Sequence, residues 1–287
     1  MSAEEVKDLH LNNDSIEPSA EPLTSQQSAD PVALVSNKRA TSEDPSPSRS
    51  QLKQDNPLYE GSILVGNGEI NNLVTAERFR VLRAKIERSN LGQQSYRLLA
   101  VTSALPEEGK SLVSSNLARA LSIDPLGKTL LIDCDLRRPS VHTFFNIPDR
   151  PGLADLVLNK VTSDEVIQHA SNRLDVISTG TPVNDPTQII ERPELATILN
   201  EFRKHYQYII LDCPPTMLCS EPITISSIVD SMLLVVRAWT TPKRVVRDAI
   251  NAIGSSRILG LVINDGLDAS RMYVDYGYYT NRKHLIR

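Results

Sequence analysis

The chain is poor in cysteine, in aromatic side chains and in long apolar runs. Of its 287 residues, three are cysteine, one is tryptophan, and 5 % are aromatic. Cys134, Cys213 and Cys219 cannot all pair with one another and match no zinc-ligand spacing, so no disulfide framework or structural zinc site is expected. No apolar run approaches the ~18 residues that span a bilayer. The N-terminus, MSAEEVKDLH, has no apolar stretch behind a basic start, which argues against a secretory signal. Positive charge is not in excess either. Lys and Arg number 31 against 35 Asp and Glu, a net charge of −4, which disfavours a surface built to grip nucleic acid. The expectation is a soluble protein of a reducing cytosol.

Residues 1–57 contain ten Ser, six Pro and no Phe, Tyr or Trp, with ten acidic and five basic side chains. Such a segment buries too little apolar surface to offset the entropy of ordering and is expected to form a disordered N-terminal arm. The remainder, with 25 acidic and 26 basic residues, is near neutral. A folded domain is expected over 58–265 and a flexible tail over 266–287.

Within the folded part, Phe79, Leu82 and Ile86 fall at helical spacing in 75–89. Short apolar runs then alternate with helical patterns. Strands are expected at 97–103, 128–133, 173–178, 206–212, 231–238 and 258–264. Helices are expected at 111–122, 152–158, 163–170, 193–205 and 242–253. Continuously apolar strands separated by helices imply an α/β fold, a mainly parallel sheet with helices on both faces. Ligands bind such sheets beyond the carboxyl ends of the strands, and three polar motifs fall there.

The first is Ala104-Leu-Pro106-Glu107-Glu108-Gly109-Lys110-Ser111-Leu112, between a strand and a helix. Its spacing fits a phosphate-binding loop, in which backbone N–H groups and a helix N-terminus face anionic oxygens. Lys110 would reach the β- and γ-phosphates, and the Ser111 hydroxyl would ligate Mg²⁺. The second, Asp133-Cys134-Asp135-Leu136-Arg137-Arg138, puts two carboxylates beside that loop. They could hold Mg²⁺ and orient an attacking hydroxyl, or one of them could merely cap a turn. The third, Ile210-Leu-Asp212-Cys-Pro-Pro215, ends a wholly apolar strand in the acid that positions metal or water in phosphate-loop enzymes.

With these motifs the chain resembles the bacterial tyrosine kinases (BY-kinases) of polysaccharide export over roughly residues 70–280. Further signatures carry the resemblance. Glu77-x-x-Arg80-x-x-Arg83 is similar to the family's oligomerisation motif, TGTPVNDPTQII (179–190) is similar to a family linker, and tyrosines cluster near the C-terminus. The resemblance implies a P-loop NTPase-like fold and a protein-tyrosine autokinase that uses ATP and Mg²⁺ to phosphorylate the tail of a neighbouring subunit. Lys110, Asp133, Asp135 and Asp212 would be the catalytic or metal-linked residues, and residues 106–112 would hold the nucleotide. Asn264 would read the adenine edge or, equally, satisfy a strand-end turn. The expected partners are further copies in a ring, a transmembrane chain-length-determinant activator that recruits the chain to the inner membrane face, and a tyrosine phosphatase. One departure stands out: the family has Gly where this chain has Glu107. A carboxylate there would repel phosphates unless it points away, and a Cβ restricts the backbone.

Tyr273, Tyr276, Tyr278 and Tyr279 are half of the chain's eight tyrosines, whereas a uniform spread would put about 0.2 in a seven-residue window. They read as phosphorylation sites, with an aromatic dimer patch as the alternative. Extended chain from Asn264 to Tyr273 reaches up to ~30 Å, enough to enter an adjacent subunit's cleft. Two rivals share the fold. One is a partitioning or division-site ATPase, whose signature lysine is replaced here by Leu105. The other is a scaffold that has lost phosphoryl transfer.

Overall fold

The computed structural model describes residues 34–35, 64–65, 69–70, 73–92 and 95–264, with side chains from Thr75 onward. Two-residue strands β1 (Leu34–Val35), β2 (Leu64–Val65) and β3 (Glu69–Ile70) precede helix α1 (Leu73–Ser89). Next come β4 (Leu98–Ser103), α2 (Lys110–Leu121), β5 (Thr129–Asp133), α3 (Val141–Phe145), α4 (Leu153–Val157) and α5 (Ser163–Val166). The chain continues through β6 (Gln168–Ser171), β7 (Leu174–Ile177), α6 (Pro186–Ile190), α7 (Pro193–Phe202) and β8 (Tyr208–Asp212). It closes with α8 (Glu221–Ser226), β9 (Ser231–Arg237), α9 (Lys243–Ile253) and β10 (Ile258–Asn264).

One eight-stranded sheet has the order β1-β10-β9-β4-β8-β5-β7-β6, and β2 and β3 form a separate antiparallel pair. Every pairing in the large sheet is parallel except β6 with β7. Because successive side chains of a strand point to opposite faces, the apolar run of β4 supplies both cores. Leu98 and Ala100 pack with α4, α7 and α9 residues such as Leu153, Leu199 and Ala249. Leu99 and Val101 pack with Phe79, Leu82 and Ile86 of α1 and Val113 and Leu117 of α2. Leu82 is fully buried, so its truncation to Ala would cost about 2–5 kcal/mol.

Local chemistry sets the helix ends. Asp185 accepts from Thr187 N at 3.1 Å and Pro186 opens α6, a carboxylate cap ahead of a residue with no N–H to lose. Gly254, at φ +94, ends α9 and donates from its N–H to Ile250 O at 2.9 Å. Asp230 starts β4 from outside the strand. Its carboxylate accepts from Arg97 N (2.8 Å) and Leu98 N (2.7 Å) and from the two terminal guanidinium nitrogens of Arg203 at 3.1 and 2.6 Å.

The sheet, its parallel sense and all six sequence-assigned strands agree with expectation. One correction concerns 163–170: the helix stops at Val166, and Gln168–Ser171 turns back as the antiparallel edge strand β6. Gln168, His169 and Ser171 are polar, Ala170 is its one apolar residue, and none is fully buried, so no apolar alternation announces it. The short helices α3, α6 and α8 also carry too few residues for a periodic signal. Apart from Leu34–Val35, which pairs with Ile263–Asn264 at the sheet edge, the arm assigned to 1–57 lies outside the described residues. So does the tail assigned to 266–287. Among the described residues no helix is long and apolar enough to cross a membrane.

Candidate active site

The three motifs converge because β4, β8 and β5 are adjacent and run the same way. Asp133 and Asp212, ending β5 and β8, are direct partners in the parallel register. Cys134 N donates to Asp212 O at 2.8 Å and Cys213 N to Val101 O at 2.9 Å, so the strand ends are stitched together just past the last carboxylate. The turn after β8 is fixed to β4 as well. The Thr102 hydroxyl donates to Pro214 O at 2.6 Å, and Thr216 N donates to Ser103 O at 2.8 Å. Cys134 and Cys213 are buried, and burial holds their thiols well above the ordinary range, so they act as small core side chains.

The loop from Ala104 to Lys110 has the form of an anion cradle. Glu107 (φ +62) and Gly109 (φ +89) are both left-handed, and left-handed residues among right-handed ones turn successive N–H groups into a concavity. Helix α2 begins at Lys110 with no side chain capping its first turn and no acidic residue in it, which leaves its N-terminal N–H groups and dipole for a ligand. At Gly109 a Cβ would stand 2.1 Å from Asn264 Nδ2, so that position excludes a side chain on two counts.

Glu108 is the residue whose role the sequence least announces. Its side chain is buried and points away from the cradle. One oxygen accepts from Leu105 N at 2.7 Å, and the other accepts from Arg237 N at 3.3 Å and from the Thr241 hydroxyl. Asn264 Nδ2 donates to Glu108 O at 2.8 Å. Glu108 thus ties the loop to the ends of β9 and β10, and the amide of Asn264 makes the turn-holding bond that was one of its two sequence readings. Glu107 is exposed, so its carboxylate is open to solvent. Pro106 lies half-buried in the turn, and Ser111 and Leu112 are buried in the first turn of α2.

Lys110 sits at the centre. Its Nζ is 2.7 Å from Asp135 Oδ2, 3.7 Å from Asp212 Oδ2, and donates to Ser111 Oγ at 3.0 Å. Burial alone would lower its pKa, but Asp212 and Asp135 more than offset this and hold the ammonium charged. Asp133 accepts from Asp135 N (3.1 Å), Ser140 N (3.1 Å) and Val141 N (3.0 Å). It folds the second acidic motif back on itself and so presents Asp135 to Lys110. Burial, then repulsion from Asp212, pushes Asp133 up to about 8. Burial likewise raises Asp212, with Lys110 opposing. Arg137 is drawn off to buried Glu221, its Nε donating at 2.8 Å, while Arg138 is exposed.

The donor set fits a Mg-nucleotide. Both carboxylate oxygens of Asp212 are buried without a direct hydrogen bond, an arrangement suited to a metal ion or its water. Among the described residues no three His, Cys, Asp or Glu side chains form a metal cage of their own. That suits Mg²⁺, which takes one or two carboxylates and completes its shell with phosphate oxygens and water.

The sequence-assigned residues outside this cluster lie elsewhere. Glu77 and Arg80 pair at 3.0 Å on the exposed face of α1. Arg83 turns inward, donating to Ala120 O at 3.3 Å and facing Glu87 at 3.2 Å. Tyr273, Tyr276, Tyr278 and Tyr279 lie outside the described residues.

Comparison with known proteins gives this geometry a family. Residues 95–264 match the ParA family model, described as NUBPL iron-transfer P-loop NTPase. The chain is 33 % identical over 209 residues to CapB of Staphylococcus aureus, whose name assigns it provisionally to the tyrosine-protein kinases. That match covers 71 % of this chain and 90 % of CapB. It is 29 % identical over 217 residues to the tyrosine-protein kinase YwqD of Bacillus subtilis, covering 75 % and 90 %. The kinase domain of the Escherichia coli tyrosine kinase ETK superposes with a TM-score of 0.67 at 25 % identity, covering 83 % of this chain and 91 % of that domain. The chain is therefore a P-loop NTPase of the ParA type and belongs to the bacterial tyrosine kinases.

Proposed function

We propose that this kinase transfers the γ-phosphoryl group of Mg-ATP to tyrosines 273, 276, 278 and 279 of a neighbouring copy, and so regulates polysaccharide export. The supporting observation is Lys110 held among Asp135, Asp212 and the Ser111 hydroxyl at the open N-terminus of α2. Phosphoryl transfer needs alignment and charge neutralisation more than covalent help. The N–H groups of residues 107–112 would hold the phosphates and Lys110 would follow the charge that develops on the transferred group. Ser111 and Asp212, with Asp133 next to it, would hold the metal, which when bound would supply positive charge to offset that of the phosphates. Asp135, 2.7 Å from Lys110, would orient the ammonium and accept the phenol proton late in the transfer. Asn264, at the end of β10, would lie on the adenine side.

The same reading assigns Glu77, Arg80 and Arg83 to a ring-like self-assembly that delivers one copy's tail to the next. It also assigns recruitment to the inner membrane face by a transmembrane activator, with reversal by a tyrosine phosphatase. Each phosphate adds about −1.5 to −2 charges, so a phosphorylated tail would leave the acid-rich site and loosen the ring. The test is incubation of the full chain with labelled ATP and Mg²⁺, followed by mapping of the label. Label on the four C-terminal tyrosines, reduced by about 10²–10³-fold in Lys110→Met, is expected. Free phosphate without labelled tyrosine would instead make the chain an ATPase, and neither product would make it a scaffold.

A further inference from the structure

The chain's single tryptophan combines two costs at one position. Trp239, in the link between β9 and α9, is 82 % exposed, and its backbone sits at φ +63. A large side chain seldom enters the left-handed region, and residues held there concentrate at ligand clamps. The segment carrying it is firmly anchored. Arg237 N and the Thr241 hydroxyl donate to Glu108, Ala238 N donates to Asn264 O at 2.8 Å, and Thr241 N donates to Arg237 O at 3.1 Å. The backbone that carries the indole is therefore held next to the phosphate loop, at the ends of β9 and β10.

The sheet order says which side of the loop that is. Asp212 and Asp135, the carboxylates facing Lys110, follow β8 and β5, on one side of β4, whereas β9 and β10 lie on the other. A nucleotide whose terminal phosphate meets Lys110 and the carboxylates must run its ribose and base the opposite way, over the ends of β9 and β10. We propose that Trp239 is the base-stacking residue of this site, its indole lying against the purine face of the bound nucleotide. The inference rests on the nucleotide-site reading given above and deepens it. Phosphate contacts come from the loop and α2, and Trp239 makes the site prefer a base-bearing nucleotide over bare polyphosphate. Purine and indole offer matching flat faces, so stacking requires no further hydrogen bond.

With one tryptophan in the chain, its emission reports this residue alone. Mg-ADP should quench or shift the emission of the full chain saturably, and Mg-pyrophosphate should not. Calorimetry decides the matter with two variants: Trp239→Asn, a residue that tolerates the left-handed region, and Trp239→Phe, which keeps a ring. The Asn variant should raise the Kd for Mg-ADP about tenfold, leave the Kd for Mg-pyrophosphate unchanged, and be largely rescued by Phe. Equal Mg-ADP affinity in the native chain and the Asn variant overturns stacking, whatever the fluorescence does. If neither ligand binds the native chain, the nucleotide-site reading falls and stacking falls with it.

Discussion

Replacing Glu107 separates two physical effects at the mouth of the phosphate loop. Its carboxylate is exposed and its backbone sits at φ +62. For a separation of about 8 Å and an effective permittivity of about 40, Coulomb's law gives about 1 kcal/mol per pair of unit charges, or about 2 kcal/mol against Mg-ATP. Screening over a Debye length of about 8 Å in physiological salt leaves about 0.8 kcal/mol, roughly fourfold in Kd. The backbone contributes separately. Left-handed geometry costs a non-glycine residue about 1–2 kcal/mol, but Gly brings about 0.5–1 kcal/mol of extra unfolded-state entropy. Glu107→Gly should therefore raise folding stability by no more than about 1.5 kcal/mol while tightening nucleotide binding about fourfold. Glu107→Gln, which keeps the Cβ and removes the charge, should tighten binding almost as much. Calorimetric titration with a non-hydrolysable Mg-ATP analogue measures both variants, and the gain should vanish in 1 M salt, where charges are screened within about 3 Å. Tightening by Gly alone, undiminished by salt, would refute the electrostatic account and place the effect in the backbone.

Other perturbations test neighbouring links. Gly109→Ala sets a Cβ 2.1 Å from Asn264 Nδ2 at φ +89, so urea unfolding should show a loss of about 2–3 kcal/mol, with nucleotide affinity lost as well. Asp230 is held below the usual carboxylate range: burial alone would raise it, but Arg203, Leu98 N and Arg97 N more than offset this. Its contribution is thus present above its unfolded pKa and lost as pH falls through the lower folded value. Asp230→Asn should destabilise the chain by about 2–3 kcal/mol from pH 8 to 5, and the gap should narrow below about pH 4; a gap constant across that range would contradict the assignment. On α1, Arg80→Ala should leave folding stability intact and reduce assembly size by light scattering. Arg83→Ala should also lower the melting temperature, because it removes the bond to Ala120 O.

Most of the architecture was legible because a parallel sheet buried on both faces writes itself as apolar runs. Leu98–Ser103 and Tyr208–Asp212 are such runs, each followed by its motif. The order of phosphate loop, double aspartate and single aspartate likewise marked where the candidate site lies, since each motif begins where apolar sequence stops. Edge strand β6 stayed hidden because Ala170 is its one apolar residue, too little for a period-2 pattern. Glu108 sits in the phosphate loop, and its side chain turns to Leu105 N, Arg237 N and the Thr241 hydroxyl. No spacing within PEEGKS distinguishes its direction from that of Glu107.

Local pattern in the chain specifies the alternation of strands and helices, the placement of Asp133, Asp135 and Asp212 at strand ends and of Lys110 at a helix start, and the likeness to tyrosine kinases. These follow from local rules, periodicity and short motifs, that act over a few residues. Long-range packing alone puts Asp133 in register with Asp212, Lys110 between Asp135 and Asp212, Arg83 inward, and the link carrying Trp239 after β9, across β4 from the carboxylates. Strand order and register join residues far apart in the chain, and they are set by how both sheet faces pack at once, which no local pattern encodes.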